Sequence, residues 1–226
     1  GTLIDQLQQV AEPLPVVELD GEALAALLYS SGTTGTPKGI MLSHENLRSN
    51  AASLVEGWGF TADDVLLHAL PIFHVHGLFV ALGCVFLSGA SMRWLTGFNL
   101  EQVMAELPRS TAMMGVPTYY TRLLSQPGFG RQDVATIRLF ISGSAPLLLE
   151  TFEEFEERTG HRILERYGMT ETSMNTSNPY EGERRPGSVG FPLPDVELKI
   201  SDMQTGEALG VGEIGLIEVR GPNVFK

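Results

Sequence analysis

Short apolar runs alternate along this chain with longer stretches whose apolar positions recur at helical spacing. Strands are predicted at Ala23 to Tyr29, Ile40 to Leu42, Val65 to Leu70, Ser91 to Leu95, Ala112 to Gly115, Ile137 to Ser142 and Arg162 to Tyr167. Between them the helical rhythm predicts His44 to Trp58 with Ser43 as its N-cap, a core helix over Phe73 to Leu87, and Leu100 to Leu107 capped by Asn99. Pro117 suits the first position of a helix running to Ser125, and Leu147 to Thr159 forms the next. Three βα units in succession make the fold class α/β, layered, with a largely parallel sheet flanked by helices. Its ligands are expected at the carboxyl ends of the strands. Gly1 to Asp20, with Pro13 and Pro15, reads as an extended leader, and residues 21–180 as the α/β body. From residue 181 to 226 Pro/Gly-rich turns separate Val196 to Ser201 from Glu213 to Arg220, the expected start of a β-rich subdomain.

Composition narrows the function classes. At 226 residues and 43% hydrophobic content the chain buries a sizeable core, as one large domain or two small ones. A formal charge of −12 with no basic run longer than Arg184-Arg185 argues against a nucleic-acid surface. Cys84 is the only cysteine, so no disulfide forms within the chain, and a reducing, cytoplasmic setting is expected. The opening residues Gly1-Thr2-Leu3-Ile4 carry no secretory or transit pattern, and the longest apolar stretch, Val75 to Leu87, is too short to span a bilayer. A start without methionine and a last strand without a neighbour read as a segment of something larger.

The densest chemistry follows the first strand. Tyr29-Ser30-Ser31-Gly32-Thr33-Thr34-Gly35-Thr36-Pro37-Lys38-Gly39 concentrates hydroxyls, glycines and a lysine, the ingredients of a phosphate-holding loop. Glycines let backbone N–H groups turn to an anion, hydroxyls donate, and Lys38 adds a point charge. An ordinary P-loop is excluded because it requires Gly-Lys-Ser/Thr, and here Lys38 stands between Pro37 and Gly39. The string instead resembles the signature loop of the adenylate-forming superfamily, which contains acyl-CoA synthetases, luciferases and peptide-synthetase adenylation domains.

Further strings extend that resemblance to residue 226. Gly143-Ser144-Ala145-Pro146 follows a predicted strand and resembles the turn that lies against adenine. Glu165-Arg166-Tyr167-Gly168-Met169-Thr170-Glu171-Thr172 resembles the family's second nucleotide motif. On the residues alone, Tyr167 can lay a ring beside a base, Thr170 can donate to phosphate, and Glu171 can hold magnesium. Pro186-Gly187-Ser188-Val189-Gly190 and Gly212-Glu213-Ile214-Gly215 resemble later scaffold turns. The resemblance implies ATP/AMP, Mg2+ and coenzyme A as cofactors or co-substrates. A carboxylate attacks the α-phosphorus of ATP, pyrophosphate leaves, and the coenzyme A thiol then displaces AMP. It implies nucleotide contacts at Ser30, Ser31, Gly32, Thr33, Thr34, Gly35 and Lys38, at 143–146, and at 165–170. Lys38, Thr170 and Glu171 are the expected catalytic group, with Glu171 the metal ligand.

For the acid, Arg122 lies in an otherwise apolar predicted helix, where a guanidinium needs an anion. Together with Phe73-His74-Val75-His76-Gly77 and the run Met169 to Pro179, this segment looks most like malonyl-CoA synthetases, whose substrate has a second carboxylate to recognise. The expected acid pocket is therefore His74, Val75, Arg122, Ser144 and Met169. Alternatively Arg122 snorkels to solvent or pairs with an acidic neighbour, and the acid is a medium-chain or aryl one. His74 and His76 lack further ligands at zinc spacing. Intact members of the superfamily carry, beyond the position of Lys226, a ribose-binding aspartate, a hinge and a lid-domain lysine. The 226 residues alone are accordingly expected to turn over poorly, if at all, and a non-catalytic nucleotide-binding segment is the rival class.

Overall fold

The computed structural model describes residues 16–30 and 37–226. In chain order, β1 (Leu24–Ser30) and β2 (Lys38–Ser43) pair antiparallel, with Ser30 opposite Lys38. Helix α1 (His44–Gly57) follows, and the Ser43 Oγ accepts the Asn46 N–H while the Asn46 Oδ1 accepts the Ser43 N–H, a reciprocal cap. Strand β3 (Val65–His68) leads into a π-helical turn, His76–Ala81, that continues as α2 (Leu82–Ser88). Next come β4 (Ser91–Trp94), α3 (Leu100–Glu106), β5 (Ala112–Gly115), α4 (Pro117–Leu124), β6 (Leu139–Ser142) and α5 (Leu149–Thr159). The described chain closes with β7 (Leu164–Met169), β8 (Ser173–Ser177), β9 (Phe191–Pro192), β10 (Glu197–Ser201) and β11 (Leu216–Arg220).

Seven of these strands form one sheet in the order β4-β3-β5-β6-β7-β8-β9. From β4 to β7 every pairing is parallel, and β8 and β9 join antiparallel. Successive side chains of a strand point to opposite faces, and here both faces are covered. Leu66, Met114 and Ile141 pack with Leu54 and Trp58 of the α1 end, whereas Leu67, Met113 and Phe140 pack with Tyr120 of α4 and Phe155 of α5. Helices thus flank a mostly parallel sheet, as expected. The chain order reverses between β3 and β5, which opens a crevice at their carboxyl ends.

The opposite edge of the sheet is tied by one ion pair. Arg138 donates to both Asp64 oxygens at 2.8 Å and to the carbonyls of Trp58 and Gly59 at 3.0 Å, joining the end of α1 to β3 and β6. Burial alone would raise the Asp64 carboxyl. Hydrogen bonds from Arg138, Thr111 and the Thr61 N–H win and hold it at about 2.

Several sequence expectations need correction. The helix expected over Phe73 to Leu87 omits Phe73 and His74, because the Gly77 Cα packs against the Pro71 carbonyl and the chain enters the helix through a π turn. Strand β6 begins at Leu139 rather than Ile137, β3 ends at His68 rather than Leu70, and β11 begins at Leu216 rather than Glu213. Strand β8 was not foreseen. Ser173-Met174-Asn175-Thr176-Ser177 is mostly polar yet buried throughout, and some of its polar groups are met by distant parts of the fold, such as Trp58, whose indole N–H donates to the Ser177 Oγ.

Candidate functional site

Three chain segments converge at the carboxyl ends of β3, β6 and β7. The turn after β6 starts at Gly143 and continues through Ser144 with φ 68°. This left-handed conformation in a non-glycine residue turns its hydroxyl toward His76 Nδ1, 3.3 Å away. Gly143 must lack a side chain, because any Cβ there would collide with the Arg166 guanidinium. The segment after β3 supplies His74, Val75 and His76, and β7 supplies Glu165 through Met169. A tight turn, Thr170-Glu171-Thr172, then leads into β8, its Thr172 N–H donating to the Met169 carbonyl.

These segments enclose two adjoining cavities. The larger, of about 420 Å³, is lined by Ser142, Ser144, Ala145, Pro146, Glu165, Arg166, Tyr167, Gly168, Gly187 and Val189. The smaller, of about 260 Å³, is lined by His74, Val75, His76, Ser144, Arg166, Gly168, Met169, Thr170, Glu171 and Met174. Ser144, Arg166 and Gly168 belong to both. The structure thus brings together His74, Val75, 144–146 and 165–171 of the expected site.

Arg166 is the electrostatic centre of this wall. Only 4% exposed, it has no hydrogen-bond partner for Nε or Nη2 among the described residues. Burial drives its pKa down to about 10, against a small opposing contribution from Tyr120. His76 is also buried, with Nε2 unpartnered among the described residues. Burial first, then the charges of Arg166, His74 and His68, hold its imidazole well below the ordinary range, so it is neutral near pH 7. A buried cation beside a neutral histidine and a hydroxyl is a receptor for an anion. Glu165 plays a different part. Its Oε1 accepts the Gly187 N–H at 2.9 Å, fixing the 187–189 turn over the larger cavity. Burial raises its carboxyl, and the N–H groups of Gly187 and Leu147 pull it back.

Arg122 is not brought to this group. It is exposed on α4, stacked 4.6 Å from the Phe98 ring centroid, beside a shallow outer concavity lined by Asn99, Leu100, Glu101, Met104 and Gln126. An aromatic face and solvent satisfy the guanidinium without any anion. Ser30 and Lys38 face each other across the ends of β1 and β2. Ser31, Gly32, Thr33, Thr34 and Gly35 lie outside the described residues.

Glu171 is the carboxylate of the smaller cavity, and among the described residues no cluster of three or more His, Cys, Asp or Glu side chains is placed to hold a metal. One carboxylate fits a magnesium ion whose other ligands are phosphate oxygens and water, but not a closed metal cage. Sequence reasoning missed His76 as a buried wall residue, and it read Gly187 and Val189 as scaffold only. The glycine–proline spacing signalled a turn without saying what the turn covers.

A sequence profile described as AMP-binding enzyme matches residues 2–226. The mitochondrial malonate–CoA ligase ACSF3 of Bos taurus is 40% identical over 239 residues, covering 89% of this chain and 40% of that protein. ATP-bound MatB from Rhodopseudomonas palustris superposes with a TM-score of 0.95 at 53% identity, over 99% of this chain and 44% of that one. A malonyl-CoA ligase product complex with methylmalonyl-CoA and AMP gives 0.85 at 42% identity, over 94% and 46%. The chain spans about two fifths of the length of the curated relatives it matches. No helix among the described residues is long and apolar enough to cross a membrane.

Proposed function

Because this chain belongs to the AMP-binding enzyme family, we propose that it carries the nucleotide and acid sites of an ATP-dependent acid–CoA ligase, and that the acid is malonate or a close dicarboxylate. The observation that carries the reading is Arg166, a buried guanidinium whose Nε and Nη2 have no protein partner among the described residues, in the wall between two cavities. One carboxylate of a dicarboxylate answers that charge, with neutral His76 and Ser144 completing its hydrogen bonds, and the other is left free to react. A monocarboxylic acid would leave Arg166 unpaired. The anchor is thus assigned to Arg166 rather than Arg122. The names of the bovine relative and of the solved complexes, which specify malonate, methylmalonyl-CoA, ATP and AMP, point the same way.

In this reading the larger cavity takes the adenine, with the Tyr167 ring beside it and the Ser144–Pro146 turn against it. The free carboxylate oxygen attacks the α-phosphorus, a P–O bond forms, and the bond to the β-phosphate breaks with its electron pair leaving on pyrophosphate. The coenzyme A thiolate then attacks the acyl carbon and AMP leaves. Charge neutralisation and alignment dominate such steps, since an anion must approach an anion. Thr170 donates to phosphate oxygen, and Lys38 meets the β and γ groups. Lys199 and Lys226 are paired with Glu218 and Glu22, which leaves that task to Lys38. Glu171 would hold a magnesium ion, which would supply further charge neutralisation.

The test is pyrophosphate release by a full-length protein carrying this chain, comparing malonate with butyrate. Malonate should be preferred by at least about a hundredfold in kcat/KM, the cost of leaving a buried charge unpaired. Equal use of the two acids would overturn the assignment.

A further inference from the structure

The turn that carries Thr170 and Glu171 caps the β7–β8 hairpin, whose ladder shifts register between Tyr167 and Gly168 and ends with Met169 opposite Ser173. Within the turn, the Thr172 N–H donates to the Met169 carbonyl at 3.2 Å. Further supports come from far along the chain. The Asn223 amide, 1% exposed, donates through Nδ2 to the Thr172 carbonyl at 2.7 Å and to the Asn175 Oδ1 at 3.1 Å. The Phe225 N–H donates to the Glu171 carbonyl at 2.9 Å, and the next amide, Lys226 N–H, donates to the Met41 carbonyl of β2 at 3.1 Å. On the other side, Asn46 in the first turn of α1 donates to the carbonyls of Pro222 and Val224 at 2.7 and 2.9 Å. Residues 222–226 therefore join β2, which begins at Lys38, to the turn of Glu171.

We propose that Asn223 and Asn46 are positioning residues that set the spacing between Lys38 and the Thr170–Glu171 turn, and so the fit of the site to a magnesium-bound polyphosphate. Neither amide lines the two cavities, so each acts through the backbone it holds. This rests on the ligase reading above for its substrate. It adds that the metal-dependent part of nucleotide binding is under the control of a strap remote from the nucleotide.

Asn223→Asp tests the idea because the shape is kept while the donor is replaced by an acceptor facing the Thr172 and Asn175 oxygens. In a full-length protein carrying this chain, calorimetry would measure ATP affinity with and without magnesium, alongside the melting temperature and the kinetics with malonate. Asn223→Asp should lose about tenfold of the magnesium-dependent gain in ATP affinity and about tenfold in kcat. Magnesium-free ATP binding and the KM for malonate should stay within about twofold. Asn46→Ser, which loosens the strap without touching the turn, should shift the same quantities less. Asn223→Ala should be milder than Asn223→Asp, whereas a merely space-filling role predicts the reverse order. Unchanged magnesium dependence in both Asn223→Asp and Asn46→Ser overturns the proposal, as does a parallel loss of metal-free and metal-dependent binding. Failure of both variants to fold also overturns it, by assigning the network to folding. If the wild type releases no pyrophosphate with malonate yet the magnesium dependence shifts as stated, the ligase reading falls and the positioning role stands.

Discussion

Replacing Arg166 by methionine should make the unliganded protein more stable and, by the same change, unable to recognise its acid. The guanidinium is 4% exposed, unpartnered at Nε and Nη2, and holds its proton with a pKa of about 10. A proton bound several hundredfold less tightly than on an arginine in water corresponds to a burial penalty of about 3 kcal/mol. Methionine fills most of the same space without a charge. The gap left at the tip costs about 1 to 2 kcal/mol, so the net gain is about 1 to 2 kcal/mol. For a chain of 226 residues that is a rise in melting temperature of about 2 to 8 °C. The sign with pH follows from the lowered folded-state value. Below about pH 10 the penalty is present in full, and it fades only as the pH climbs toward arginine's ordinary range, so the difference between variant and wild type should be flat from pH 6 to 9. Thermal melts of both proteins, with and without malonate at about a hundred times its dissociation constant, provide the assay. Malonate should stabilise the wild type by about 2.7 kcal/mol and the variant by almost nothing. A variant less stable than the wild type by 1 kcal/mol or more, or one still stabilised by malonate, would refute the view of Arg166 as an uncompensated charge awaiting an anion.

Three other outcomes are expected. Asp64 is held at about 2, so its contribution is complete above about pH 4 and is lost as the pH falls through 2; Asp64→Asn should cost about 3 kcal/mol in urea titrations at pH 7 and progressively less toward pH 2, and a pH-independent cost would contradict the pairing with Arg138. Gly143→Ala drives a methyl into the Arg166 guanidinium, so the affinity for malonate should fall at least about tenfold in calorimetry, with the unoccupied fold weakened by about 1 to 3 kcal/mol. His76 is held well below the ordinary imidazole range by burial and by Arg166, so nitrogen NMR of its ring should report the neutral form at about pH 6.5, where a free imidazole is half protonated. A ring half or more protonated at that pH would contradict its placement.

Much of this architecture was legible because the parallel strands are short, apolar and buried on both faces. Leu66-Leu67, Met113-Met114 and Phe140-Ile141 each send one side chain to each face of the sheet, which leaves a run of hydrophobes in the sequence. Strand β8 left no such trace. Its buried Asn175 and Thr176 carry no apolar signal, and its backbone is recognised by side chains such as Asn50, more than a hundred residues away. The strings at 143–146 and 165–171, most of whose residues line the two cavities, stood out in the sequence because turns at strand ends need particular small and polar residues at fixed spacing. Arg122 lies apart from the two cavities for a physical reason. Helical spacing put a cation among apolar neighbours, but only the packed fold shows Phe98 lying under its guanidinium. The burial of Arg166 and the lack of a partner for its Nε and Nη2 among the described residues left no trace in the sequence, because both are tertiary properties.

The strap at 222–226 also bears on the order in which the protein is made. Contacts of the parallel sheet join segments that emerge soon after one another, whereas Asn46 meets Pro222 across 176 residues and Lys226 meets the Glu22 carbonyl across 204. Closing loops that long carries a large entropy cost and must await residues 222–226. A ribosome adding about 5 to 20 residues each second would therefore complete the seven-stranded sheet about two to seven seconds before the turn of Glu171 has its final supports. During synthesis, the final supports of the Glu171 turn arrive after the sheet they brace.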